Sequence, residues 1–487
     1  MALDVLLTWE KQRPHGRMGL YKLHRHQEAA MTTISRAVAN LKANLDQLLP
    51  PRLILRLATD LGRRFRRRTL TPVVTTYLFL RQILHGNPAV GELRHLAGLD
   101  FTDSAYCQAR QRLTVGFFHR LHQAVLGPCR AEVPSGPDAS WHEHRLFVLD
   151  GSSFSMPDTE ELRQQFGYPP GQAAGCGFPT AHLLVEFDLH HGYLLRAVPA
   201  PCRTHDMAHA AVLHQDLRRG DVLLGDRAFC SYAHLALCRR RGILALFRAH
   251  QRQIISFTPG RRHAGPGKVS PQDKGLPRSR WLKRLGKHDQ LVEYFKPRER
   301  PDWMTAAEYA DLPDSLEVRE VRFTVRIPGY RTRQVTVVTT LTDAKRYSAR
   351  ALARLYARRW QVEVNLRHLK QTLKMDVLRC TTFVGVMKEL LMFAVAYNLV
   401  RRVMVEAGQR QQVEPNRISF SDALRWLRHA EPGEVLPRLR VNPERPGRIE
   451  PRARKRRPKN YRLFNRPRAV LRQAAKKEPP AGKKVAA

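Results

Sequence analysis

Two short apolar runs, each closed by an aspartate, constrain this chain more than any other feature: Leu146-Phe147-Val148-Leu149-Asp150 and Val222-Leu223-Leu224-Gly225-Asp226. A brief apolar run bounded by a turn-former is how a strand covered on both faces reads, and such strands lie in the middle of an α/β sheet. The pattern continues around them. Leu183 to Leu189 and Tyr193 to Val198 read as a hairpin turning at His191-Gly192. A helix from Met207 to Leu217, a helix from Tyr232 to Arg240 and a strand from Ile243 to Phe247 follow. The elements therefore run βββαβαβ.

That order is the ribonuclease-H-like one, so the expected fold is an α/β catalytic core of that type. Upstream, Val73 to Leu84 is helical. Val90 to Ala97, a turn at Gly98 and a helix from Ala105 to Leu113 capped by Asp103 or Ser104 outline a helix-turn-helix whose second helix carries Gln108, Arg110 and Arg112. Such a helix reads DNA ends in one interpretation and is an ordinary hairpin with a wet face in the other. Downstream, a Pro-, Gly- and Arg-rich stretch from about Thr258 to Arg280 and alternating segments at Arg319 to Ile327 and Gln334 to Leu341 suggest a small inserted sheet. A long helix then starts near Ser348. The expected plan is a basic segment over 1–60, a helical DNA-binding domain over 61–140, and a core over 141–250. A β insertion over 251–345, the rest of the core over 346–405 and a basic segment over 406–487 complete it.

Charge narrows the partner. Lys and Arg number 84 against 43 Asp and Glu, a net charge of +41. An excess of that size repels itself unless a polyanion neutralises it, which points to nucleic acid. Arg454, Lys455, Arg456, Arg457 and Lys459, with Tyr461 and Phe464 interleaved, form a candidate DNA-contacting tail. No apolar run reaches the roughly 18 residues of a spanning helix; the longest, Leu390 to Val400, suits a core helix. The first ten residues carry Asp4 and Glu10 and no basic leader, and the seven cysteines form no Cys-x-x-Cys pair. The expectation is a cytoplasmic, nucleoid-associated protein with reduced thiols, away from membranes. Met18 and Met31 are possible later starts.

A strand-end aspartate by itself is commonly a cap; a third carboxylate raises its meaning. Tyr356, Arg359, Glu363 and Lys370 stand at offsets 0, 3, 7 and 14 in one helical stretch. At about 100° per residue they fall within roughly 60° of arc, with Arg367 and Lys374 extending the stripe. Leu355, Val362, Leu366, Leu369 and Leu373 make the adjacent apolar stripe. Salt bridges between turns are the ordinary fate of such charges. Here cations outnumber the carboxylate, which suits DNA phosphates beside a metal ligand.

These residues are similar to a known pattern. Tyr356, Arg359, Glu363 and Lys370 match at every spacing the Tyr-x2-Arg-x3-Glu-x6-Lys signature of the DDE transposases of the insertion-sequence-four family, relatives of the transposon-five and transposon-ten enzymes. Asp150-Gly151-Ser152 resembles that family's first-Asp motif and Asp226-Arg227-Ala228-Phe229 its second, with Ala228 where the family usually has Gly. The resemblance spans roughly residues 60–470. It implies that Asp150, Asp226 and Glu363 hold two Mg2+ ions, with Mn2+ able to substitute. It also implies that Arg359, Lys370 and Tyr356 contact phosphates of the transposon end, and that the substrates are double-stranded terminal inverted repeats and target DNA, gripped by a homodimer in the synaptic complex. Some members place a Trp before the last insertion strand for a hairpin step. Here that stretch is Arg333-Gln334-Val335-Thr336, leaving Trp281 or Trp303 as substitutes or as core.

Other groups carry simpler readings. Asp188, His190 and His191 suit a turn with exposed histidines better than a metal site, and His205-Asp206 suits a cap. Ser152 and Ser153 lack the Gly-x-Ser-x-Gly elbow of a serine nucleophile. Two rivals to a transposase share the pattern: a structure-specific nuclease of the same fold, and a transposase-derived regulator that binds DNA without cutting it.

Overall fold

The computed structural model describes residues 49–60, 69–131, 141–169, 176–202, 204, 206–265, 271–324, 334–429, 434–443 and 466–477. Arg454, Lys455, Arg456, Arg457 and Lys459 lie outside them, as do His205, Arg333 and most of the 1–60 segment. The chain divides into two compact units. One takes the chain up to residue 132, residues 372–374 and residues 387–441. The other takes 133–371, 375–386 and 442–487.

The first unit is helical. Its N-terminal helices are α1 (Pro51–Thr59), α2 (Pro72–Leu84), α3 (Leu93–Ala97), α4 (Asp103–Arg112) and α5 (Val115–Ala131). Thr71 caps α2, its Oγ1 accepting the Val74 N–H at 3.3 Å, and Pro72 fills the first turn, where a missing N–H costs nothing. Gly98 ends α3 at φ +61. The cap of α4 is Thr102, whose Oγ1 accepts from the Ala105 N–H at 3.1 Å, so neither Asp103 nor Ser104 is the cap; both lie inside the first turn. Val74, Leu78, Leu93, Ala97, Phe101 and Tyr106 make the core that sets the α3–turn–α4 angle.

The 29-residue helix α9 (Phe383–Gln411) lies mostly in the first unit. Its Lys388 donates to the carbonyls of Arg110 and Gln111, both at 3.2 Å, capping the C-terminus of α4 where the helix dipole favours a cation. Among the described residues α9 alone is long and apolar enough to cross a membrane. Its apolar window is 78% buried, which is the condition of a core helix.

The second unit is built on one nine-stranded sheet of order β3-β2-β1-β4-β5-β9-β8-β7-β6. β1 (Leu146–Ser155), β2 (Thr180–Asp188) and β3 (Leu194–Pro201) are antiparallel; β4 (Val222–Gly225) and β5 (Leu244–Arg248) run parallel to β1. The β4-to-β5 crossover is α6 (Tyr232–Arg241), capped by Ser231 and ended by Gly242 at φ +70. The β2–β3 turn differs from the expectation of exposed histidines. His191 is buried, its Nδ1 2.7 Å from Asp188 Oδ2, because the aspartate also accepts the N–H of His190 and so folds the ring inward.

The expected separate insertion sheet is instead a continuation of the core sheet. β6 (Ser279–Gly286), β7 (Asp289–Phe295), β8 (Ser315–Thr324) and β9 (Gln334–Thr339) form a meander whose last strand pairs antiparallel with β5, Leu246 opposite Thr339. A buried ion pair locks it. Arg319 of β8, fully buried, donates to both oxygens of Asp289 at 2.7 and 2.5 Å and to the carbonyl of Tyr347 at 2.6 Å. Tyr347 stacks on Trp141, and its hydroxyl lies 2.7 Å from His144 Nε2.

Candidate active site

Asp150 and Asp226 reach the same end of the sheet because β1 and β4 are parallel and in register. Val148 pairs with Leu224, so each aspartate lies two residues further along its own chain, and adjacent strands are about 4.8 Å apart. Asp150 sits within β1, opposite Val185, while Asp226 is the first residue past β4, at the start of the 3-10 turn Arg227–Phe229. Gly225 precedes it in a tight place: a Cβ there would lie 3.1 Å from Phe229 and from Phe247, which would have to give by a few tenths of an ångström. Gly225→Ala is expected to shift the Asp226 turn at a cost of about 1–3 kcal/mol. A thermal melt beside a DNA-cleavage assay should show activity falling further than stability.

The third carboxylate arrives on a segment more broken than one helix. α7 (Ala349–Ala357) is capped by Ser348, a 3-10 turn spans Arg358–Trp360, α8 covers Gln361–Arg367, and His368–Thr372 is a π turn. Leu355, Val362, Leu366, Leu369 and Leu373 are buried, as the apolar stripe requires. Glu363 projects from α8 with 44% of its side chain exposed.

Arg359 joins the carboxylates. Its Nη2 donates to Glu363 Oε1 at 3.2 Å, and its Nη1 lies 3.9 Å from Asp150 Oδ2. The expectation that cations were too numerous to pair is thus corrected at this position. The i,i+4 spacing puts Arg359 beside Glu363, and the fold delivers Asp150 to the same guanidinium. Burial, with the Glu363 and Asp226 charges adding to it, pushes the Asp150 carboxyl up to about 6 against the pull of Arg359 and of the Gly151 N–H, which donates to Oδ1 at 2.9 Å. Burial likewise raises Glu363, with Asp226 adding and Arg359 opposing.

Tyr356 is buried under this cluster. Its hydroxyl is buried beside Arg359, whose guanidinium lies 6.0 Å from its ring centroid. Lys370 donates to Ser152 Oγ at 3.1 Å and to the Ser153 carbonyl at 2.6 Å, so the two serines after the first aspartate are its holders. Sequence reasoning missed that role; the Ser-Ser pair following Asp150 was the available signal. Partial burial holds the Lys370 amine below its usual range. Arg367 is exposed, while Lys374 lies past the π turn at φ +71 and so does not continue the helical stripe.

In the first unit Arg112 is exposed, but Arg110 is turned inward. Its guanidinium lies 3.8 Å from the Phe79 ring centroid and 3.5 Å from Gln82 Oε1. Trp303 helps line a cavity of about 800 Å³ beside Arg227 and Ala228, whereas Trp281 is a half-buried residue of β6 that does not.

Chemically, two carboxylates meet one guanidinium, a third stands at the same sheet end, and Asp226 Oδ1 is buried with no hydrogen-bond partner. An all-oxygen donor set with an unsatisfied buried atom fits a hard divalent cation.

The Transposase DDE domain family matches residues 141–399, more than half of the chain, and the span contains all three carboxylates. The chain belongs to that family and is a DDE transposase. It is similar to the transposase InsG for insertion sequence element IS4 of Escherichia coli K12, at 25% identity over 378 residues, 74% of this chain and 77% of that one. A second relative from the same strain, InsZ, is 29% identical over 140 residues, which cover 28% of this chain and 46% of that protein. Among solved structures, the piggyBac transposase synaptic complex with hairpin DNA is similar at a TM-score of 0.40 and 11% identity, over 81% of this chain and 79% of that one.

Proposed function

We propose that this transposase works by cut-and-paste, with Asp150, Asp226 and Glu363 as the catalytic carboxylates of a ribonuclease-H-like core. The observation that carries the reading is the convergence of Asp150 and Glu363 on the single guanidinium of Arg359, at the sheet end that β1 and β4 share with Asp226. The strand order β3-β2-β1-β4-β5, with antiparallel pairing among β3, β2 and β1 and parallel pairing from β1 through β4 to β5, supports the core assignment.

The substrates are the double-stranded terminal repeats and then target DNA, in a synaptic complex of two protomers. The three carboxylates would hold two Mg2+ ions, or Mn2+ in their place, which lower the pKa of the attacking oxygen and neutralise the leaving one. In the first step a water oxygen bonds to phosphorus and the transposon's 3′ oxygen leaves as a hydroxyl. In the second, that hydroxyl bonds to a target phosphorus and a target 3′ oxygen departs. Arg359 orients Asp150 and Glu363 throughout, and its remaining donors, with Lys370 and the exposed Arg367, bind backbone phosphates of the end. Tyr356 packs under Arg359 and fixes its fork. Arg112 and the 454–459 basic run add contacts along the duplex.

The test is a Mg2+-dependent cleavage assay on the element's own ends, comparing the intact protein with Glu363→Gln, which keeps shape and removes charge. Cutting at the end boundary that needs both Mg2+ and Glu363 is expected. End binding without cutting by the intact protein would favour a regulator, and cutting without joining of pre-cleaved ends would favour a nuclease. Lys370→Ala is expected to weaken end binding and to lower the slope of log affinity against log salt by about 1. An unchanged slope would remove Lys370 from the phosphate contacts.

A further inference from the structure

Behind the Asp226 turn lies a cluster that the proposed chemistry does not use. His234 and Cys238 stand one turn apart on α6, and His214 comes from the short helical segment before β4. All three are buried, and one ligand atom from each lies within 4.8 Å of the others. The two imidazoles point their Nε2 atoms at each other at 2.9 Å, and Cys238 Sγ is 3.8 Å from His214 Nε2. A tetrahedral Zn2+ with bonds of about 2.0 Å to nitrogen and 2.3 Å to sulfur would hold these atoms roughly 3.3 and 3.5 Å apart. The two observed spacings differ from these by about 0.4 and 0.3 Å, and the imidazoles would also turn so that both Nε2 lone pairs meet at one ion.

The protonation pattern favours a ligand set. His234 Nδ1 lies 2.7 Å from the Phe229 carbonyl, which fixes the proton on Nδ1 and leaves the Nε2 lone pair facing the cluster. A backbone carbonyl orienting a histidine through its far nitrogen is the usual outer shell of a metal-bound imidazole. His214 Nδ1 is buried without a partner, as a histidine pair closed on itself leaves it.

We propose that His214, His234 and Cys238 form a second metal site, independent of the carboxylates and selective for a borderline-soft divalent ion, Zn2+ foremost. Nitrogen and thiolate donors set it apart from the all-oxygen site. Binding releases one proton per chain, from the Cys238 thiol, while the His214 proton moves from Nε2 to Nδ1. The Phe229 carbonyl belongs to the turn that carries Asp226, so the ion would tie α6, and through it that turn, to the His214–Asp216 segment.

Full-length protein carrying Glu363→Gln, stripped with a chelator, is titrated with Co2+ and then with Zn2+. One equivalent of cobalt with thiolate-to-metal charge-transfer absorption, displaced by Zn2+, is expected. Cys238→Ser, a near-isosteric change, should abolish the absorption and weaken Zn2+ binding at least about tenfold, with an unchanged circular dichroism spectrum. His234→Asn provides a second variant with the same expected loss. Absence of the absorption in protein retaining Cys238, or its persistence in folded Cys238→Ser, would overturn the proposal.

Discussion

Asp150→Asn is expected to abolish cleavage of transposon ends while making the metal-free protein harder to melt. The activity loss follows from removing the charge of a proposed metal ligand and should exceed about a hundredfold, since even outer-shell changes at metal sites cost about 10–100-fold. The stability gain has a sign that can be worked out. The Asp150 carboxyl is pushed up to about 6 in the fold, above its value in an unfolded chain, so its ionised form is disfavoured by folding. Above that pH the folded protein bears a cost that asparagine lacks. Below the ordinary carboxylate range both states are protonated and the cost disappears. The side chain is 20% exposed, so up to about 3 kcal/mol is the ceiling. Melts in chelator should show Asp150→Asn several degrees more stable near about pH 8, with the advantage shrinking through about pH 6 and gone near about pH 4. A variant less stable than the parent at every pH would mean that Asp150 is held by favourable contacts rather than poised at a cost.

The second large effect concerns the insertion. Asp289→Ala would leave the Arg319 guanidinium, fully buried in β8, without its acid. Breaking one side of a buried ion pair costs about 3–5 kcal/mol, because the remaining charge stays desolvated. Arg319 also holds the carbonyl of Tyr347, the residue before the Ser348 cap of α7. The damage should therefore travel into the segment that carries Glu363, and cleavage should fall together with stability. Arg240 and Asp311, paired at the surface with 45% and 71% of their side chains exposed, make the control: Asp311→Ala should cost less than about 1 kcal/mol. Denaturant unfolding of both variants distinguishes the cases, and equal costs would contradict the burial argument.

What was legible in the sequence follows from physics that acts locally. Val148-Leu149-Asp150 and Leu224-Gly225-Asp226 read as strands because strands covered on both faces are continuously apolar, and parallel register then carries both aspartates to one end. The Tyr356–Lys370 stripe read correctly on its apolar side. Its polar side did not, since the 3-10 and π turns break the even 100° progression and Lys370 is drawn to Ser152 and Ser153. β6 and β7 went unseen because Arg280, Lys283, Arg284, Asp289 and Gln290 hide the alternation. Arg110 faces inward through Phe79 and Gln82, partners about 30 residues away that no periodicity discloses.

The pairing of β9 with β5 bears on how this enzyme can be shortened. A five-stranded core ending at β5 would expose a row of unpaired backbone groups on the strand next to the one that carries Asp226. Open edges of that kind recruit strands from other chains. The meander moves the edge outward to β6, where Arg280, Lys283 and Arg284 discourage docking. Excising residues 251–345 would therefore yield a self-associating fragment rather than a minimal nuclease. The added strands thus cover an edge that the bare core would leave open.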